Sequence, residues 1–465
     1  MRYFIIFCLI SAYLQGNAQR FCISAGYPGE SSYSSDIKPW PEGGYIISGS
    51  TESGNGDVLL AKISESGQII WQKTYGSKGL EAGTRIAAHQ AGILALNRFQ
   101  SDTNGNYGLW IFKTDSNGTI IWEKHIAEDP GELAEALVVL YNGDFVVAST
   151  TFQSPRQIYL RKFDLSGTMI WHRQLADSID LKASDMLYAQ NGRIYLAGEV
   201  QGTQSDLLLA AYNTAGEEVF RTVSGTPRNE SCAGITEHTS GKLVVSATSF
   251  LENGIGQLYL QRFFPDGTED ERLAEANDVD KRIGRIVWNG SDRYLIPYSL
   301  LLAFGEKLTG YYEFDHWMTF LCHVKLEGQT SSVASAVVAG PDKSGVLTGY
   351  TENPNPSLPR IYVLKADSSC QTPTITLSTP ELTPNLFSLY PNPASDQVVI
   401  RFEEAKKTKL LGVKLLDSSG RQWSPEFEKH ADALTINLAG LPDGLYFTQI
   451  TTDDTIFTQT LFKTQ

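Results

Sequence analysis

The chain of 465 residues has a formal net charge of −14 and a pI near 5.0, with 42% hydrophobic and 11% aromatic residues. Such a composition is globular and long enough for more than one core, and its acidity excludes a nucleic-acid binder and electrostatic docking on an anionic membrane. Past the N-terminus no stretch approaches the roughly 20 apolar residues that a spanning helix needs.

The first residues, MRYFIIFCLISAYLQGNAQ, have the form of a secretory signal peptide over residues 1–18. Arg2 supplies the positive start, Tyr3 to Leu14 the apolar run, and Gly16-Asn17-Ala18 the small-residue cleavage site before Gln19. Cys8 sits inside the apolar run and no cysteine follows a lipobox-like site, so no lipid anchor is expected. The exported chain then keeps Cys22, Cys232, Cys322 and Cys370, which permit disulfides in an oxidising compartment.

From there one unit recurs. LLAKISESGQIIWQK (59–73), LWIFKTDSNGTIIWEK (109–124), IYLRKFDLSGTMIWHR (158–173), LLLAAYNTAGEEVFR (207–221) and LYLQRFFPDGTEDER (258–272) each join two apolar, β-branched runs through an Asp/Asn/Gly turn, which reads as a β-hairpin. Weaker copies are TFLCHVKLEGQTSSV (319–333) and IYVLKADSSC (361–370). A Gly-led strand such as NGDFVVAST (142–150) precedes each hairpin, and a less regular segment such as ELAEALVVLY (132–141) precedes that strand. The turn glycines fall at 67, 118, 167, 216, 267 and 328, spaced by 51, 49, 49, 51 and 61 residues. Four strands per period in seven copies predict an all-β, seven-bladed β-propeller over residues 19–370. Trp71, Trp122 and Trp171 follow the same turn in successive repeats and are expected to wedge between neighbouring blades.

The stretch RFCISAGYPGESSYSSDI aligns with IIWQKTYGSKGLEAGTRI, so the N-terminal strand should complete the last blade. That closure would bring Cys22 beside Cys370, and a Cys22–Cys370 disulfide is expected, with Cys232 and Cys322 as separate buried thiols. Residues 371–385 are Thr/Pro-rich and read as a linker. From 386 to 465 short alternating strands with turn signals predict a small Ig-like β-sandwich.

Two resemblances follow from these residues. The D-x-x-G-x-x-x-W turn is similar to the repeats of pyrroloquinoline-quinone-like and other secreted repeat propellers, which implies the fold and not an activity. Tyr390-Pro391-Asn392-Pro393-Ala394, the turn from Asp417 to Gly420, Gly444-Leu445-Tyr446 and Lys463 resemble the C-terminal type A sorting domain of Bacteroidota type IX secretion cargo. That resemblance implies the type IX secretion machinery as a partner. It also implies a final location secreted from, or on the outer-membrane surface of, a Gram-negative bacterium.

The seven histidines are scattered, and no HExxH, paired C-x-x-C, G-x-S-x-G, P-loop or dinucleotide motif is present. No catalytic residue is therefore nominated. Loops 52–57 and 101–106 carry oxygen ligands suited to Ca²⁺ without the full EF-hand pattern, and plain hairpin turns are the favoured reading; no cofactor is expected. The stretched sixth spacing reads as an insertion over 300–319, between the second and third strands of its blade. Tyr311, Tyr312, Phe314 and Trp317 beside Asp315 and His316 would form an aromatic platform there for a glycan or a protein. The expectation is a non-catalytic binding or adhesion module; the alternative is a polysaccharide-acting enzyme with carboxylates at the mouth of the central channel.

Overall fold

The computed structural model describes residues 20–366 and 387–464, except 28, 53–55, 77–78, 90–91, 101–105, 128–130, 276, 278, 303–305, 327–330, 353–357, 392, 403–409, 418–421, 431–432 and 453–455. The chain divides into two compact units, Met1–Leu377 and Ser378–Gln465.

The first unit is a seven-bladed β-propeller. Each blade is an antiparallel meander, as in Ser32–Pro39, Tyr45–Thr51, Asp57–Ile63 and Ile69–Tyr75 of blade one, which pair in that order from the inside outward. The inner strands of blades two to five are Glu81–His89, Glu132–Val139, Asp180–Tyr188 and Asn229–Glu237. That of blade six is broken into Asp280–Ile283 and Val287–Trp288, and that of blade seven is Ser332–Ala339. The outer strand of blade seven is Phe21–Ala25, antiparallel to Arg360–Lys365 with Phe21 opposite Lys365. The N-terminal strand therefore closes the ring.

Facing sheets bury apolar side chains between successive blades. Leu94, Leu96 and Ile111 of blade two meet Ala134, Phe145 and Val147 of blade three. A second contact ties blades one, two and three each to the next at its rim. Trp71 Nε1–H donates to Ser116 O at 3.3 Å, Trp122 to Leu165 O at 3.0 Å and Trp171 to Thr214 O at 3.1 Å. Each indole lies over the turn glycine of the following blade: a Cβ at Gly118, Gly167 or Gly216 would sit 3.0–3.1 Å from that ring. Those glycines also hold φ of 76–81°, where a side chain is strained. Phe220 covers Gly267 in the same way, and Phe21 covers Gly67 across the closing seam.

The irregular segments of the sequence are inner strands carrying a β-bulge at one recurring place: between Ser34 and Asp36, Gly83 and Arg85, Ala134 and Ala136, Ala183 and Asp185, Cys232 and Gly234, and Ala334 and Ala336. A bulge breaks the period-two alternation and turns its residues toward the axis.

The cysteines differ from expectation. Cys22 is a free thiol, so it does not bridge to Cys370, which lies outside the described residues. It stands mid-strand opposite Leu364 and packs on the core between blades six and seven, away from the chain end; burial pushes its thiol up to about 12. Cys322 is disulfide-bonded rather than a separate thiol, while Cys232 is buried and free.

The second unit is a β-sandwich of two four-stranded sheets. Phe387–Tyr390, Gln397–Phe402, Ala433–Asn437 and Phe427–Lys429 form one; Gln422–Trp423, Leu410–Asp417, Gly444–Thr452 and Ile456–Lys463 form the other. Val398, Ile400, Leu415, Ile436, Tyr446 and Leu461 fill the space between them.

The clasp predicts coupled energetics. Trp122→Ala should cost about 2 kcal/mol and Gly167→Ala about 1–2 kcal/mol. In the double variant the added methyl no longer meets the indole, so chemical denaturation should show the two effects falling short of additivity by about 1 kcal/mol.

Candidate functional site

The six aromatic-platform residues belong to a regular hairpin, not to an insertion. The third strand of blade six is Lys307–Asp315 and the outer strand Phe320–Lys325, joined by the turn Asp315-His316-Trp317-Met318. Asp315 Oδ1 accepts from Trp317 N–H at 2.9 Å and Thr319 N–H at 2.7 Å, as Asp115 does from Asn117 and Thr119. Met318, at φ 63°, occupies the place of the glycine, so the true spacing from Gly267 is 51 residues. Gly328 lies outside the described residues.

This register decides which candidates reach the surface. Tyr311 packs between blades six and seven, and Tyr312 and Phe314 pack between blades five and six, all three buried. Asp315, His316 and Trp317 lie on the turn, with Trp317 65% exposed. The turn sits at the end of the propeller that carries the hairpins between first and second strands, opposite to the end expected. His238, from that hairpin in blade five, lies 6.0 Å from His316 and 4.4 Å from Trp288 between ring centroids. Burial, with His316, Arg262 and Lys242 nearby, lowers the His238 pKa. Arg262 Nη1 donates to His316 O at 3.2 Å and ties the turn to blade five. The sequence reading missed His238 and Trp288, which no local motif marks.

The second place where chemistry-bearing residues meet is the axis. Arg285, in the break of the sixth inner strand, reaches Asp36 of blade one at 2.5 Å and Asp185 of blade four at 3.9 Å. Gly234 makes room for it, since a Cβ there would meet the Arg285 stem at 2.8 Å. Asp36 Oδ2 also accepts from Ile86 N–H at 3.1 Å and Asp185 Oδ2 from Ile235 N–H at 3.2 Å. Arg85 of blade two donates to Ser184 O of blade four at 3.3 Å. The Arg285 and Arg85 contacts join non-neighbouring blades, so side chains cross the channel at the level of the bulges.

Among the described axial charges Arg285 is paired with Asp36 and Asp185 and Lys182 with Glu199, while Ser35, Thr84, Glu135, Ser184 and Ser335 occupy the bulges beside them. Burial alone would raise Asp36; Arg285, Lys38, Arg85 and the Ile86 N–H outweigh it and hold the carboxyl below its ordinary range. Glu135 of blade three departs the other way. Burial pushes it up to about 7, against the pull of Arg85, Lys182 and Arg98 and with the help of Glu199.

Among the described residues no group of three or more His, Cys, Asp or Glu is placed to hold a metal ion. Most of the Ca²⁺-loop expectation, residues 53–55 and 101–105, lies outside the described residues.

In the second unit the sorting-motif residues meet at one end. Ala394 N–H donates to Phe462 O and Thr464 N–H to Ala394 O, both at 2.8 Å, and Lys463 Nζ lies 3.3 Å from Asp443. Gly444 pairs with Lys463, and the Tyr446 hydroxyl donates to Pro442 O at 2.7 Å. Tyr390, Pro391 and Pro393 are exposed; Asn392 and the Leu445 side chain lie outside the description.

Removing the axial guanidinium leaves Asp36 buried without its main partner, so Arg285→Gln should cost about 3–5 kcal/mol in chemical denaturation. Because the Asp36 pKa is depressed by folding, its contribution is full above the unfolded carboxylate value of about 4 and is lost as pH falls through the folded value. In a pH series the penalty of Arg285→Gln should accordingly shrink in acid.

Comparison with known proteins bears on both units. Residues 388–464 match the secretion system C-terminal sorting domain. Karilysin of Tannerella forsythia is 30% identical over 134 residues, 25% of this chain and 28% of that protein, so the chain spans less than a third of that relative's length. A mutant puromycin hydrolase complexed with PGG shares the fold at a TM-score of 0.50 and 13% identity, over 80% of this chain and 58% of that one. The β-propeller domain of the Trilobed protease from Pyrococcus furiosus aligns at a TM-score of 0.46 and 10% identity, over 72% and 96% of the two chains. An ulvan lyase, from a new polysaccharide lyase family, aligns at 0.48 and 12% identity, over 70% and 93%. The likeness to the puromycin hydrolase concerns the fold alone, whereas the sorting-domain match concerns the route the protein takes. Residues 388–464 are a type IX secretion C-terminal sorting domain, and the chain that carries them is exported by that system to the cell surface or beyond it.

Proposed function

We propose that the exported propeller is a non-catalytic binding or adhesion module that holds a glycan or a protein ligand through the blade-six turn. Trp317 carries this reading: it is 65% exposed on a turn pinned by Asp315 from within and by Arg262 from the next blade. A large ring held without rotational freedom of its backbone offers contact area at low entropic cost, which suits the face of a sugar ring or an apolar side chain. His316, tilted by 40° against it with ring centroids 3.4 Å apart, braces it. The pairing of Asp36 and Asp185 with arginine and backbone N–H supports the absence of catalysis, because carboxylates committed in this way are poor proton carriers.

In this reading residues 1–18 direct export to the periplasm, 19–370 form the propeller, 371–385 are a linker, and the sorting domain of 386–465 takes the chain across the outer membrane of a Bacteroidota cell. A second reading, an enzyme acting on polysaccharide, is favoured by one observation: Glu135 at the axis has the raised pKa of a general acid.

Trp317→Ala should weaken binding to glycan and host-protein panels by about tenfold, with the thermal midpoint unchanged because the side chain is exposed. Wild-type-like binding by that variant would refute the contact. Product release from a bound glycan that Glu135→Gln abolishes would establish the enzyme instead. A chain truncated at residue 377 should fold as a propeller yet remain in the periplasm on fractionation.

A further inference from the structure

Glu135 and Arg98 mark a place that the binding turn leaves unexplained. Arg98 lies on the second strand of blade two, Gly92–Gln100, whose Leu94 and Leu96 face blade three. Strand alternation puts Arg98 on that same side, toward Glu135. The Nε–H groups of both Arg98 and Arg85 are sealed from solvent and meet no acceptor among the described residues. A buried donor without an acceptor is costly, and two on guanidiniums that both act on Glu135 point to a partner rich in lone pairs.

The charge balance gives the sign of that partner. Lys38, Arg85, Arg98, Lys182 and Arg285 are the cations electrostatically linked along the axis. Asp36, Glu135, Asp185 and Glu199 are the anions. Asp36 and Asp185 are used by Arg285 and backbone N–H, and Glu199 accepts from Lys182 at 3.2 Å and from Cys232 N–H at 3.0 Å. Cations exceed anions by one, and by two when Glu135 carries its proton. In a protein of net charge −14 this is a local reversal of sign.

We propose that the inner edge between blades two, three and four is a binding site for a compact oxyanion, a carboxylate or a sulfate, gripped by Arg98 and Arg85 beside Glu135. The anion supplies acceptors to the two orphaned Nε–H groups, and paired oxygens of a carboxylate or a sulfate match the guanidinium fork. Glu135 sets the pH response. As a neutral acid it donates a hydrogen bond to the anion, and as a carboxylate it repels it, so affinity falls as pH rises through about 7. Arg85, Lys182 and Arg98 oppose that ionic repulsion and Glu199 reinforces it. The site is independent of Trp317, on which the binding-module reading rests.

The test is calorimetric titration of the full exported chain, in chloride-free buffer, with sodium sulfate, sodium glucuronate and glucose. Saturable binding of sulfate or glucuronate and none of glucose is expected. Affinity should be about tenfold weaker at about pH 8 than at about pH 6, and this dependence should vanish in Glu135→Gln. Arg98→Gln should lose at least about tenfold in affinity, and Arg98→Lys should recover only part of it. Tighter glucuronate than sulfate would assign the site to an acidic saccharide, and equal affinities to a free small anion; either supports it. Absence of saturable anion binding, or an Arg98→Gln variant that binds as wild type, overturns the proposal, while Trp317→Ala should leave these titrations untouched.

Discussion

The propeller depends on an aromatic ring from one blade lying over the turn glycine of the next. A four-stranded sheet cannot bury both faces alone, and apolar packing between facing sheets supplies most of the adhesion without fixing their rotation. The clasp adds direction. From blades one, two and three it joins the outer edge to a backbone carbonyl and a glycine of the following blade, so those blades are held at the rim as well as through their faces. The glycine meets two demands at once, a left-handed turn and the absence of a Cβ beneath the ring. Phe21 over Gly67 makes the same contact across the seam where the chain ends meet.

The axis works on the opposite principle, with charge in place of apolar area. Bulges at one recurring point of the inner strands turn Asp36, Arg85, Asp185 and the Arg285 break toward the centre. There the low dielectric makes unpaired charge costly and paired charge geometrically demanding. Arg285 meets that demand by reaching across the ring, and Gly234 is the vacancy that lets it do so. Blades that never touch as sheets are thereby coupled through side chains. The ring resists both sliding at the rim and spreading at the centre.

Much of this was legible in the sequence. The repeating turn and its Gly-led strands gave seven blades, the alignment of residues 20–37 with the outer strand of blade one gave the closure, and the tryptophan spacing gave the clasp. Blade six was misread for a specific reason: Met318 holds the left-handed position that glycine holds elsewhere, so a search for glycine ran on to Gly328 and turned a third strand into an insertion. Asp315 with Thr319, spaced like Asp115 with Thr119 and Asp164 with Thr168, is the signal that locates the turn correctly. Asp36, Arg85, Glu135 and Asp185 recur at intervals of 49–50 residues and Arg285 follows two periods later, but no periodicity rule selects them until the bulge position is known. Cys22 was misassigned because ring closure places its backbone near the chain end, while strand alternation turns its side chain into the core.

The closing strand also sets the order in which the ring can be completed. Lys365 lies 344 residues after Phe21, so their pairing is the most distant contact in the propeller and carries the largest loop-closure cost. Until it forms, Arg360–Lys365 is an uncapped sheet margin with unsatisfied N–H and C=O groups, a template for any extended peptide nearby. The occupant of that margin is Phe21–Ala25, which precedes the other propeller strands in the chain. The molecule thus carries its own stopper from the start, and a copy that lost its first strand would offer the vacant groove to the first strand of another copy, linking propellers head to tail.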